Sequence, residues 1–354
     1  MHLVVYSDAP YVGGAEIAVG RLLGELTPEI RVTVMGTTTD VVDWIAARRP
    51  GRAATEVVPL PRRRWDPGAL AAHVRALRRL RPDVLQVNLI TPWSCRYALL
   101  AGIVLRHRGM VAVEQLPHPS HSRVHLWFKR LSSRRLAAHV AVGEGSARDV
   151  ERYASLAPGS LRVIHHGVPD VPLGPVARPD AAFVVGSIGR LDAQKGLDVL
   201  VDTLPSVPGA FALLVGDGPE KSALLERAAA AGVADRLTVT GWRDDARDYL
   251  GALDVFVLPS RFEGFPQAVV EAMLAERPVV ASDVGSVADA VVDGETGLLV
   301  RPDDAEALAA ALRRLRDDPA LRRELGRRAR AKALREFSVD RMARAYEALY
   351  REIA

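Results

Sequence analysis

The chain has 354 residues, 49% of them hydrophobic and 25% charged. That is enough apolar material for two cores of roughly 150 to 180 residues each and excludes a disordered protein. Its one cysteine, Cys95, excludes an internal disulfide framework and an all-cysteine metal site, and the net charge of +4 conceals a basic first half (23 Lys+Arg against 14 Asp+Glu in 1–172) and an acidic second half (24 against 29 in 173–354). The opening MHLVVYSDAP lacks the basic stretch and long apolar run of a signal peptide. No apolar run reaches the roughly 18 to 20 residues that span a bilayer, so the expected location is cytoplasmic.

A strand is expected at 2–8 (HLVVYSD) and a helix at 15–27, then strand 31–36, helix 67–80 with Pro67 near its start, strand 83–88, helix 97–109 and strand 110–115. Residues 137–145 and 161–167 read as two further strands, each ending at glycine. Prolines at 169, 172, 175 and 179 make 169–180 the linker candidate. The pattern then restarts, with strands at 182–188, 211–218, 236–241, 254–260, 278–285 and 297–300. Helices are expected at 197–204, 221–232, from 266 onward, and in a charged tail at 319–336. Strands alternating with helices predict an α/β protein of two mostly parallel sheets, with domains at 1–172 and 173–337 and a final helix at 338–354.

Three segments of the second half carry chemistry. In GRLDAQKG (189–196), Arg190 and Lys195 sit just past a strand end, where open α/β sheets bind ligands, and suit a pyrophosphate; an ordinary solvated pair of cations is the competing reading. In VGDGP (215–219), Gly216 and Gly218 permit a tight turn and close backbone approach, and Asp217 can cap the turn or receive a hydroxyl. In PSRFEGFPQAVVEAM (259–273), Glu263 and Glu271 stand eight apart, with Gly264, Phe265 and Pro266 at a helix start whose N–H groups can bind phosphate. Glu271 is placed to accept from ribose hydroxyls and Glu263 to meet a sugar. A helix-capping acid and a surface charge are the plainer alternatives.

Glu263 and Glu271 match the two acids of the "E, seven residues, E" motif, and EGFPQAVVEAM resembles that motif of the retaining GT-B glycosyltransferases of family 4 nearly residue for residue. GRLDAQKG resembles the family's phosphate-gripping segment, VGDGP its glycine-rich turn, and GGAE, with Gly13 and Gly14, its N-terminal glycine loop facing the donor phosphates; GLLV at 297–300 also fits. The resemblance implies a GT-B fold of two Rossmann-like domains facing a central cleft. Acceptor would bind the first domain and nucleotide sugar the second, with 338–354 packing back on the first. It implies transfer of a hexose-type sugar from a nucleotide-diphosphate sugar, UDP-sugar favoured, to a hydroxyl, with retention, no metal and no further cofactor. Arg190, Lys195, the amides near Gly264 to Pro266 and the Gly13–Gly14 loop would stabilise the leaving diphosphate, Gly216 and Phe265 would line the donor, Glu271 would hold ribose and Glu263 would orient sugar hydroxyls.

The family's sugar-contacting histidine has no simple counterpart. His118 in EQLPHPSH is the expected one and His121 the runner-up, while His165 and His166 before Gly167 read as structural and Asn88 and Glu144 as strand-end residues able to touch acceptor. Residues 121–139 hold five Lys+Arg and no acid, with Val124, Trp127, Phe128 and Leu131 as a partial apolar stripe. They read either as a basic amphipathic helix for an anionic membrane or as a helix packed inward. Nucleic-acid binding is disfavoured by the acidic second half. A nucleotide-sugar epimerase and a non-catalytic nucleotide-sugar binder are the remaining alternatives. No heptad seam speaks for an oligomer.

Overall fold

The structure is a computed structural model that describes every residue except Arg64 and 117–121; the His118 and His121 expectations therefore lie outside the described residues. The chain forms two compact units, Met1–Val168 with Ser338–Ala354, and Pro169–Phe337. The first proline of the linker run thus opens the second unit.

Among the described residues, the first unit is built on seven strands: β1 (His2–Ser7), β2 (Arg31–Gly36), β3 (Ala54–Val57), β4 (Val84–Leu89), β5 (Met110–Glu114), β6 (Ala138–Ala141) and β7 (Arg162–Val163). All pair in parallel in the order β3-β2-β1-β4-β5-β6-β7. β1, β4, β5 and β6 are buried along their whole length, as apolar strands covered by helices on both faces must be. The second unit repeats the plan with β8 (Phe183–Ile188), β9 (Ala210–Val215), β10 (Leu237–Val239), β11 (Val255–Leu258), β12 (Val279–Ser282) and β13 (Gly297–Val300). These too are parallel, in the order β10-β9-β8-β11-β12-β13. Strand order reverses between β1 and β4 and again between β8 and β11, and such switch points open a crevice at the carboxyl ends of the strands.

The final helix, Val339–Ile353, belongs to the first unit. Tyr350 Oη donates to Gln86 Oε1 at 2.5 Å, and Glu347 Oε1 accepts the Thr27 amide at 2.7 Å. A Cβ on Gly167 would lie 2.4 Å from Val339 Cα, so only glycine lets the two crossing segments meet. Beside it, burial pushes His166 down to about 3, which keeps the imidazole neutral. Asn88 is 2% exposed; its amide donates to the Tyr6 carbonyl at 3.1 Å and its side-chain oxygen accepts from Gln86 and Gln115 at 3.2 Å each. These bonds give Asn88 the local role. Glu144 opens the helix Glu144–Ala154 instead of ending a strand, and pairs with Arg148 at 3.4 Å.

The basic segment departs from the inward-packed expectation, though not at every position. Helix Arg123–Ser133 buries Phe128 and Lys129 but leaves Val124, Trp127 and Leu131 exposed by 51%, 63% and 43%. Lys129 does not face water with the arginines; its ammonium reaches the carboxylate of Glu114 at the end of β5, which also meets His139 Nε2 at 2.6 Å.

Candidate functional site

In the second unit the sequence-predicted residues gather at the carboxyl ends of β8, β9 and β11. β8 ends at Ile188, and Gly189, with φ +147, lets the chain turn out of the sheet. Asp192 then caps a short 3-10 turn, Ala193–Lys195, by accepting from the Lys195 amide at 3.3 Å. Its other oxygen pairs with Arg190 Nη2 at 2.6 Å. One carboxylate therefore ties the guanidinium to the turn that carries Lys195.

Two glycines bring the neighbouring loops together. A Cβ on Gly196 (φ +58) would lie 2.1 Å from the Pro259 carbonyl, and one on Gly216 (φ +144) 1.9 Å from the Gly189 carbonyl. No other residue permits that approach. Gly216 also bridges to Gly241, which places the exposed Trp242 beside the glycine turn.

The segment after β11 is stitched to the segment after β8. The Arg261 amide donates to the Gln194 carbonyl at 2.8 Å and Gln194 Nε2 donates to the Phe262 carbonyl at 2.9 Å. The Arg261 guanidinium donates to the Ala193 carbonyl at 2.7 Å and forks onto Asp198 at 3.0 and 2.8 Å. Burial pushes the Asp198 carboxyl up, and the fork with its charge outweighs this, leaving it below its ordinary value. These bonds set Lys195 Nζ 2.8 Å from Glu263 Oε1. Glu263 is 6% exposed, so it is a nearly buried carboxylate, and it is held by that ammonium and by Ser260 Oγ at 2.7 Å.

Helix Gln267–Leu274 begins with Pro266 as its cap. Proline has no N–H, and the Gln267 amide turns back onto the Phe265 carbonyl at 3.0 Å. Pro266 therefore supplies no anion donor of its own. Phe265 is 6% exposed and its ring lies 5.2 Å from that of Phe337, so Phe265 supports the loop from the core side. Glu271 is half-buried on the first turns of the same helix.

Gly13 and Gly14 lie in the first unit and open helix Gly14–Glu25. There the Gly13 amide donates to Glu16 Oε2 at 3.1 Å, and Ser7 Oγ donates to Glu16 Oε1 at 3.0 Å. Glu16 is buried, and that burial raises its carboxyl. Among the described residues no group of three or more His, Cys, Asp or Glu is arranged to hold a metal ion. Ser260 and Asp192, which hold the acid and the cation, escaped the sequence reading. Both stand inside the quoted motifs and bond within their own loops, Ser260 to Glu263 and Asp192 to Arg190 and the Lys195 amide, whereas the Lys195–Glu263 pair joins loops 68 residues apart.

Comparison with known proteins bears on both units. Residues 182–318 match the family model "Glycosyl transferases group 1" and residues 12–170 match "Glycosyltransferase Family 4". The 2-deoxystreptamine N-acetyl-D-glucosaminyltransferase of Streptomyces fradiae is 30% identical over 388 residues, covering 95% of this chain and 90% of that protein. The lipopolysaccharide core biosynthesis mannosyltransferase LpsB of Rhizobium meliloti (strain 1021) is 38% identical over 180 residues, covering 48% of this chain and 51% of LpsB. The chain thus spans about half the length of the lipopolysaccharide-core relatives it matches first. The crystal structure of Anabaena Alr3699/HepE in complex with UDP superposes with a TM-score of 0.85 at 21% identity, over 99% of this chain and 100% of that one. That likeness establishes the two-domain parallel-sheet architecture.

Proposed function

The chain belongs to the group 1, family 4 glycosyltransferases, and we propose that it is a retaining transferase moving a hexose-type sugar from a nucleotide-diphosphate sugar to a hydroxyl acceptor. UDP-sugar is the favoured donor, since HepE was crystallised with UDP and with UDP-glucose. The observation that carries the reading is the meeting of Lys195 and Glu263, from two loops, at the switch point between β8 and β11.

The bond from the anomeric carbon to the diphosphate oxygen breaks, and the bond to the acceptor oxygen forms on the same face. The acceptor's proton passes to the departing diphosphate. Negative charge grows on the leaving oxygens, where Arg190, Lys195 and the Gly264 and Phe265 amides stabilise it without a metal. Glu271 accepts from ribose hydroxyls. Glu263 orients the sugar hydroxyls. The donor thus binds the second unit.

The test is binding and hydrolysis across UDP-, GDP-, ADP- and dTDP-sugars, with Glu271→Ala beside the wild type. One nucleotide should bind clearly best, and Glu271→Ala should weaken it about tenfold or more, the worth of a charge-assisted hydrogen-bond pair. Binding of none of them overturns the transferase reading. Donor turnover to a different nucleotide sugar without acceptor favours the epimerase instead.

A specific observation also supports contact with an anionic membrane. Val124, Trp127 and Leu131 fall at helical spacing on one exposed stripe of Arg123–Ser133, and Arg123, Arg130, Arg134 and Arg135 flank it. Wild-type protein should sediment with phosphatidylglycerol vesicles and not with phosphatidylcholine vesicles. Trp127→Ser should weaken that binding about tenfold. Equal behaviour on the two vesicle types removes this contact from the reading.

A further inference from the structure

The carboxylate of Glu263 is held unevenly, and the unevenness assigns a role to a residue outside the motif's two acids. Ser260 Oγ donates to Glu263 Oε1 at 2.7 Å, and Lys195 Nζ reaches the same oxygen at 2.8 Å. Ser260 is fully buried and Glu263 nearly so. Oε1 therefore has two donors. Oε2 has no protein donor among the described residues, and the carboxylate plane is fixed about the bonds at Oε1.

The backbone of Glu263 is held as firmly. Gly285 (φ +54) approaches so closely that a Cβ there would lie 1.9 Å from the Glu263 carbonyl oxygen, and the Ser286 amide donates to the Gly264 carbonyl at 3.1 Å. With main chain and Oε1 both pinned, the free direction of the side chain is that of Oε2. An ammonium alone does not set that direction, because it attracts either oxygen with little angular preference. A buried hydroxyl hydrogen-bonds one oxygen from one side and so selects it.

We infer that Ser260 is a positioning residue for sugar transfer: it holds Glu263 Oε1, together with Lys195, so that Oε2 is presented to a hydroxyl of the donor's sugar. This rests on the proposed function, in which Glu263 orients that sugar. The hydroxyl acts through Glu263 and touches no substrate. Its contribution belongs to the sugar moiety and not to the nucleotide, and it is realised in turnover, since misplacing an orienting group by a fraction of an ångström weakens alignment in the transition state more than ground-state binding.

The experiment compares wild type, Ser260→Ala, Glu263→Gln and the double variant. It uses UDP alone and the UDP-hexose of highest affinity, with thermal unfolding as a check on folding. Ser260→Ala removes one oxygen and adds no bulk. The inference expects kcat to fall about tenfold, the loss of one hydrogen bond to a charged group, while Kd for UDP stays within about twofold and KM changes less than kcat. In the Glu263→Gln background the same substitution should add little, because the side chain then presents an amide nitrogen and not a carboxylate oxygen to the sugar, whether or not Ser260 holds it. Unchanged kcat in Ser260→Ala, an equal loss in both backgrounds, or weakened UDP binding with a lowered Tm would each overturn it. If Glu263→Gln alone keeps wild-type turnover, the reading of Glu263 fails first and visibly, and the role of Ser260 falls with it.

Discussion

Lys195→Ala is expected to lower kcat/KM for the sugar donor about a hundred- to thousandfold, the range seen when one preorganised donor to a developing oxyanion is removed. Lys195 stands at the end of a capped turn, with its ammonium 2.8 Å from a carboxylate that is 6% exposed. Its charge is therefore directed before substrate arrives, and no reorganisation is needed at the moment of bond breaking. The loss should be shared between UDP and UDP-sugar affinity, because in the proposed function the ammonium serves the diphosphate common to both. Glu263→Gln should behave differently. It keeps the side chain's size and an oxygen for Lys195, so UDP affinity should persist while kcat falls about a hundredfold. Steady-state kinetics and calorimetric titration of both variants with UDP check the contrast. Equal effects of the two on UDP binding would mean that Glu263 serves the nucleotide and not the sugar. Arg190→Ala should cost less than Lys195→Ala, since that guanidinium is half-exposed and already committed in part to Asp192.

Much of this site was legible in the sequence because its chemistry is written in short segments. GRLDAQKG and PSRFEGFPQAVVEAM each place charged residues and glycines at a strand end, and both strands proved to be neighbours at a switch point. The partnerships were not legible. Arg261 reads as one more surface arginine, yet it joins the two motifs through Ala193, Gln194 and Asp198. The glycines that permit those contacts look like ordinary turn residues until the carbonyls they approach are known. Pro266 was read correctly at a helix start but counted among anion donors, which its missing N–H forbids.

The fold divides in the same way. The long apolar strands were plain, and most of the alternation of strand and helix followed from them, although the helices Thr39–Ala46 and Ala305–Asp317 were not anticipated. β3 was missed because it is a four-residue edge strand, ATEV, with three of its residues exposed; an edge strand needs no apolar run. The start of the helix Glu144–Ala154 was absorbed into a strand that in fact stops at Ala141, because Val142 and Gly143 continue the apolar pattern past the end of the hydrogen-bonded ladder. Periodicity reports burial, and burial does not end where a strand ends.

Lys129 is the largest departure from a local reading, and it carries the largest expected change in stability. Within a run of arginines it reads as one more exposed cation, but it is 2% exposed and paired with an equally buried Glu114. Burial pushes Glu114 up, and the charge of Lys129 with the bond from His139 more than reverses it, so the carboxyl is held below its ordinary value. Lys129→Met keeps most of the volume and leaves that carboxylate without its cation, which should cost about 3–5 kcal/mol. The double variant Lys129→Met with Glu114→Gln should recover most of the loss, because no charge then remains unpaired. The loss should also depend on pH. In the wild type, burial first and the Lys129 charge after it lower His139, against the upward pull of Glu114. Removing Lys129 removes one of the two downward effects, so the imidazole's value in the folded variant rises relative to wild type. The two proteins share one unfolded value, so a folded value higher in the variant than in wild type makes the variant's deficit smaller at low pH and larger as pH rises through that value. The variant should therefore lie closer to wild type at pH 5.5 than at pH 8, with His139 taking over part of the role of Lys129. Urea unfolding of the three proteins at both pH values measures this. A loss of the same size at both would show that His139 does not take up the proton, and that the pairing in this core belongs to Lys129 alone.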